Sequence, residues 1–223
     1  SICVVTLDVQ DTRITVEAQD SQNNIETDSI DFTVETNLPP EITDLVLTPE
    51  FPTSRDSLLL TTTTRDPEQS EVLLQYQWTV DGNETEFVSN QIAALETMKG
   101  ENWKVIVTPN DGYQDGLSQE LEVTIANSPP DIDLIEITSP SGMYNDSEFI
   151  CSAEYSDWDE DEVEIEYSWE ANGTVLSTDN PFTPTNGLVP GSELTCVVTA
   201  HDGTDTTTQS TFVTIENRAP IVS

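Results

Sequence analysis

Positive charge is what this sequence most lacks. Six Lys and Arg stand against 43 Asp and Glu in 223 residues, a formal net charge of −37. A surface of that sign repels nucleic acid and anionic membrane, so neither is expected as a partner. Histidine is as scarce. His201 is the single one, and no Cys or His stands near it in a zinc-binding spacing. No apolar stretch approaches the length of a transmembrane helix, so no membrane insertion is expected in this segment. The sequence has no Gly-rich phosphate loop, Walker motif or nucleophile elbow. Acid pairs abound, and counting them does not exclude a glycosidase-type pair, but nothing beside them supplies a cleft for stacking a sugar. No enzymatic activity is expected.

What is present is a repeat. Asn37-Leu38-Pro39-Pro40, Asn127-Ser128-Pro129-Pro130 and Asn217-Arg218-Ala219-Pro220 follow one another at intervals of 90 residues. An alternating run precedes each: Phe32-Thr33-Val34, Leu121-Glu122-Val123-Thr124-Ile125 and Phe212-Val213-Thr214-Ile215. Period-two alternation of this kind marks a half-buried β-strand. Further upstream stand Val16 to Asp20, Val107 to Asp111 and Val198 to Asp202, and Tyr76-Gln77-Trp78 and Tyr167-Ser168-Trp169 match at an offset of 91. Several blocks held in register argue against the disorder that acidic composition alone would allow.

The repeat divides the chain into two full units, 41–126 and 131–216. Residues 1–36 read as the terminal strands of a preceding unit and 217–223 as the start of a further one. Strands are expected near 133–138, 148–155, 163–170, 193–200 and 207–216. Turn signals separate them at Ser139-Pro140-Ser141-Gly142, Ala171-Asn172-Gly173 and Asp202-Gly203, with Asp81-Gly82-Asn83 as the matching hairpin of the earlier unit. Asn90 to Lys99 reads as a short crossover. Hydrophobic residues make up 35% of the chain, thin for one large core but sufficient for several small ones. The expected fold class is all-β, in tandem immunoglobulin-like β-sandwich domains.

Cys151 falls in the second strand of its unit and Cys196 in the strand after the crossover, with Trp169 between them. That order suits an inter-sheet disulfide packed on an indole, formed in an oxidising compartment. Two buried free thiols are the alternative. Aligning the blocks sets Thr61 opposite Cys151 and Val105 opposite Cys196, so both cysteines are missing together in the earlier unit. Cys3 is left over, either paired elsewhere or free.

The units resemble the PKD-like and cadherin-like immunoglobulin-fold repeats of large secreted bacterial and archaeal surface proteins. The resemblance is carried by Asn127-Ser128-Pro129-Pro130, by Asp157-Trp158-Asp159-Glu160-Asp161, by Tyr167-Ser168-Trp169 and by Asp202-Gly203, and it covers nearly the whole chain. It implies spacers, adhesive stalks or accessory modules beside other domains.

The acidic loop Asp157 to Glu162 is the best chemical candidate. Calcium takes six to eight oxygen ligands from flexible loops. In a sandwich of this type the loop between strands two and three, the turn before the last strand and the incoming linker share one end. Asp131, Asp157, Asp159, Asp161 and Asp202, with Asp205 as a further candidate, then converge on one interdomain junction, as a calcium site or as a solvated acidic face. The earlier unit has a thinner set in Glu41, Asp66, Glu68 and Asp111. Three sequons, at Asn83, Asn145 and Asn172, are candidate N-glycosylation sites. The function expected is structural: the stalk, fibre or filament subunit of an extracellular cell surface, whose partners are neighbouring repeats or other copies of itself. The alternative is an adhesin or a carbohydrate-binding accessory module attached to an enzyme, for which Trp103, Tyr113, Tyr144 and Trp158 are the candidate exposed aromatics.

Overall fold

The structure is a computed structural model and describes residues 2–8, 13–31, 37–185 and 188–218, with the backbone alone for 2–8 and 13–14. Among these residues there are sixteen strands and one short 3-10 turn, Ala94–Glu96. The first three strands, β1 (Ile2–Asp8), β2 (Arg13–Gln19) and β3 (Ile25–Asp31), form an antiparallel sheet in the order β1-β2-β3. Phe32-Thr33-Val34 and residues 219–223 lie outside the described residues.

Two β-sandwiches follow. In the first, β4 (Glu41–Thr48), β5 (Leu58–Arg65) and β8 (Gln91–Ile92) make one sheet. The other has the order β10-β9-β6-β7, from β6 (Leu73–Val80), β7 (Asn83–Glu84), β9 (Asn102–Asn110) and β10 (Gln119–Thr124). In the second, β11 (Asp131–Thr138) pairs with β12 (Ile150–Ser156). That sheet is faced by one of order β14-β13-β15-β16, from β13 (Glu164–Ala171), β14 (Thr174–Ser177), β15 (Glu193–His201) and β16 (Thr206–Thr214). A bridge between Phe149 and Phe182 stands where β5 meets β8 in the first sandwich. Even the irregularities repeat: the register shifts between Ile42 and Asp44 in β4, and between Ile132 and Leu134 in β11. Two antiparallel sheets face to face, in this strand order, are immunoglobulin-like sandwiches. The short strand β14 is one that turn signals alone do not mark.

Alternation explains the cores. Along β9 the inward positions are Trp103, Val105 and Val107, and along β15 they are Leu194, Cys196, Val198 and Ala200, all buried. Trp78 and Trp169 are both 0% exposed at the two centres. Each large apolar side chain removed from water in this way contributes roughly 1.5–3 kcal/mol.

Cys151 and Cys196 form a disulfide that joins the two sheets across Trp169. In the first sandwich Leu60, 2% exposed, shares the buried core with Val105, while Thr61 is exposed. The expected equivalence of Thr61 with Cys151 is therefore one residue off. Such a slip reverses every side chain in a strand, and burial decides it in favour of Leu60. Trp103 is also corrected. It is 2% exposed and packs edge-on against Trp78 at 6.1 Å, so it belongs to the core and is not an exposed aromatic. Cys3 lies opposite Ala18 in the β1–β2 register, and its side chain is outside the described residues.

The disulfide closes a loop across a sequence separation of 45, which by loop entropy stabilises by about 4 kcal/mol. The Cys151→Ala/Cys196→Ala double variant is expected to lose about 2–4 kcal/mol from the second sandwich alone. Calorimetry should show one of two transitions moving down and the other unmoved.

Candidate functional site

The densest chemistry sits where the first sandwich meets the second. Three segments converge there: the linker at Asn127-Ser128, the loop after β12, and the turn between β15 and β16. The loop and the turn are each built around an aspartate used as a turn maker. Asp157 Oδ1 accepts the N–H groups of Asp159 (2.8 Å) and Asp161 (3.0 Å). Asp202 Oδ1 accepts those of Thr204 (2.7 Å) and Asp205 (2.6 Å). Asp and Asn side chains cap their own downstream backbone in this manner.

The linker then ties the two loops together. The Asn127 amide donates to Asp202 Oδ2 and to Asp205 Oδ2, each at 2.9 Å. The Ser128 N–H donates to Asp159 Oδ2 at 2.8 Å. The same wiring recurs where the chain enters the first sandwich. Asn37 donates to Asp111 Oδ2 at 2.7 Å, the Leu38 N–H to Glu68 Oε2 at 3.2 Å, and Asp66 Oδ1 accepts the N–H groups of Glu68 and Ser70. The asparagine of the repeated motif thus has a physical role, because its amide supplies positive hydrogens where two acidic loops approach.

Contacts also cross between the sandwiches. Arg55, in the loop before β5, sets its guanidinium on Asp131 at the start of β11, with Nη1 to Oδ1 at 3.0 Å and Nη2 to Oδ2. Such forked pairing is the strongest carboxylate geometry available to a side chain. The same guanidinium lies 6.0 Å from the ring of Trp158, within reach of a cation–π attraction. Lys99 places Nζ on Asp161 and within 3.4 Å of Asn127 Oδ1. Between them the hydroxyls of Ser54 and Ser128 bond at 2.7 Å, both buried. The bond to Asp131 raises the Arg55 pKa, and the bond to Asp161 raises that of Lys99, with Asp159 and Asp157 adding to each.

The expected metal ligands separate into two groups. Asp157, Asp159 and Asp161 bring three carboxylate oxygens within 4.8 Å of one another, all three side chains half-buried. An all-oxygen set of this charge suits a hard divalent cation. Asp157 Oδ2 is buried and without a hydrogen-bond partner in this loop, as is Asp66 Oδ2 in the equivalent one. Asp131 and Asp202 are not brought into the trio. Asp131 is held by Arg55, and Asp202 is spent on its turn and on Asn127. In the first sandwich Ser70 stands where Asp161 stands in the second, so its loop lacks the third carboxylate.

The remaining candidates fall elsewhere. Trp158 is 45% exposed beside Arg55, Tyr144 lies under the Arg218 guanidinium at 4.6 Å, and Tyr113 is 83% exposed. Asn83, Asn145 and Asn172 are all exposed, although the Asn145 amide reaches the Leu188 carbonyl and its sequon partner Ser147 is buried. His201 accounts for itself structurally, with Nδ1 2.7 Å from the Asp205 carbonyl. Arg55 and Lys99 carry no motif that marks them in the sequence. Their signal is scarcity: in a chain with six basic residues, each one that persists beside an acidic repeat is informative.

No protein-family model matches the sequence, and no curated protein matches it. Among solved structures, the chain is similar to a two-domain fibronectin type-III segment of chicken tenascin, at 14% identity over 78% of this chain and 98% of that one, TM-score 0.40. It is also similar to the FN1–FN3 domains of chicken CNTN1, at 10% identity over 92% and 78%, TM-score 0.34. A third likeness is to mouse protocadherin-24 EC1-3, at 16% identity over 92% and 78%, TM-score 0.26. The immunoglobulin-like fold follows from the strand order and the paired cores, not from these overlaps. No helix among the described residues is long and apolar enough to cross a membrane.

Burial acts to raise the Asp202 pKa, but the N–H of Asp205, the Asn127 amide and the N–H of Thr204 outweigh it and hold it below the usual 3.8. Asp111 is lowered likewise by the N–H of Gln114 and the Asn37 amide. A lowered folded pKa means that stability is complete above the unfolded value and is lost as pH falls through the folded one. The melting-temperature gap between wild type and Asp202→Asn is therefore expected to be constant above about pH 5 and to shrink below 3.8, measured by circular dichroism across the acid range.

Proposed function

We propose that the chain is a structural segment of an extracellular cell-surface protein: part of a stalk, fibre or filament in which sandwiches are held in fixed succession. The observation that carries this reading is the set of contacts crossing from one sandwich to the next, Arg55 to Asp131, Lys99 to Asp161 and Ser54 to Ser128. A linker that serves only to tether domains needs none of them, and domains joined through small interfaces otherwise move relative to one another. The disulfide supports an oxidising, extracellular location. The partners of this reading are neighbouring repeats and other copies of the chain.

The rival, an adhesin or carbohydrate-binding module, needs exposed aromatics on which a ligand stacks. Of the four candidates Trp103 is core, and Trp158 and Tyr144 each lie beside an arginine. Tyr113 is left as the mainly exposed ring of that set.

Calcium is a separate part of the proposal: Asp157, Asp159 and Asp161 would hold it beside the Lys99 ammonium group that meets Asp161, at a junction that protein contacts already close. Glycans at Asn83 and Asn172 would stand on hairpin turns, away from both cores.

Residual dipolar couplings of the wild-type chain test the fixed succession. A single alignment tensor is expected for residues 41–125 and 131–215, and two independent tensors both with and without calcium would remove the rod from the proposal. Electron microscopy of native material is expected to show filaments or stalks, whereas dispersed monomers would count against them. Millimolar calcium should raise the melting temperature of the chain relative to chelator. Identical curves would remove calcium and leave the rest standing.

A further inference from the structure

Lys99 comes from the first sandwich, yet its ammonium group lies on Asp161, one member of the acidic trio of the second. It is carried on a fixed support. The 3-10 turn Ala94–Glu96 ends just before it, the Glu101 N–H bonds the Met98 carbonyl at 3.2 Å, and Gly100 follows with φ +84° and its N–H on the Ile125 carbonyl at 2.8 Å. A residue with a side chain strains at that φ, so the turn that aims Lys99 is specified by sequence and anchored to the strand that leads into the linker. The lysine and Asp161 are 37% and 23% exposed, so solvent screens their pairing only in part.

We propose that Lys99 is the resident cation of the Asp157–Asp159–Asp161 trio, so that the junction between the sandwiches closes without a metal ion. The inference rests on the reading of a fixed junction and names what fixes it. Three half-buried carboxylates whose oxygens lie within 4.8 Å repel one another. Two N–H donors serve Asp157 and one serves Asp159, whereas the Asp161 carboxylate receives the ammonium group. Because the cation is covalently part of the preceding sandwich, offsetting part of the trio's charge and orienting the second sandwich are one event. A free ion would offset that charge without bringing the first sandwich with it. The position is peculiar to this junction. Proline stands at 190, before Gly191, whose N–H bonds the Ile215 carbonyl as that of Gly100 bonds Ile125. The second sandwich thus offers no equivalent cation from that turn.

The test compares wild type, Lys99→Met and Lys99→Arg as full chains, by residual dipolar couplings of residues 41–125 and 131–215, first in EDTA and then in about 5 mM calcium chloride, above site affinities of roughly 0.1–1 mM. The expected result in EDTA is one shared tensor for wild type and for Lys99→Arg, and two for Lys99→Met. One shared tensor for Lys99→Met in EDTA would overturn the inference, since the junction would then close without the ammonium. Two tensors for wild type in EDTA that merge on adding calcium would also overturn it, because a metal would be the closing cation, while the fixed junction would stand. Two tensors for wild type in both buffers would sink the fixed junction itself. Lys99 is a surface residue, and unchanged amide shifts within both cores would show that each variant is folded.

Discussion

Mutual repulsion of carboxylates is the constraint under which this chain folds. At a net charge of −37, two acids approaching to about 4 Å cost roughly 1 kcal/mol even in bulk-water dielectric, and more where water is thinned out. The chain meets part of that cost locally, by setting hydrogens against crowded acids. Backbone N–H groups of the turns serve Asp157 and Asp202, an asparagine amide joins the two loops, and the arginine and lysine of the preceding sandwich reach across to Asp131 and Asp161. Two of the chain's six basic residues are spent at this one place. Acids at outward strand positions lie where solvent and salt screen them.

The two sandwiches solve the problem of a small core differently. The second pins its sheets with the Cys151–Cys196 bond. The first replaces the bond with Leu60 and Val105, and adds a second buried indole, Trp103, edge-on to Trp78. At position 194, where the second sandwich would set a matching indole, it has Leu194. The second sandwich instead packs Phe149 and Phe182 on Trp169, where the first has Leu58 and Ile92. The two cores thus differ in both covalent pinning and side-chain choice, while the surrounding alternation is the same.

Most of the fold was legible in the sequence because it is periodic. The 90-residue interval, the Tyr-x-Trp strands and the paired absence of both cysteines from the first unit are all local patterns that recur. The position equivalent to Cys151 is Leu60 and not Thr61, a matter of ladder register that sequence alternation alone leaves open beside a run of threonines. The junction was legible only on its acidic side. The convergence of the Asp157 loop and the Asp202 turn follows from topology. Arg55 and Lys99 reach partners 76 and 62 residues away in sequence, and no spacing rule links residues on different sandwiches. The partner of Asp131, Arg55, lies on the preceding sandwich and carries no motif of its own.

The asparagine at the centre of each entry point has a chemical fragility built into its position. The amide nitrogen of Asn127 is committed to two carboxylates, Asp202 and Asp205, and its oxygen lies toward Lys99. Hydrolysis of that amide to an acid would exchange one nitrogen for one oxygen. The change is small in volume, but it would turn the donor that faces both carboxylates into a third acceptor. The side chain that draws linker and turn together would then push them apart. Spontaneous ageing at a single residue would thus register as a loosened hinge, with both cores and every strand left intact.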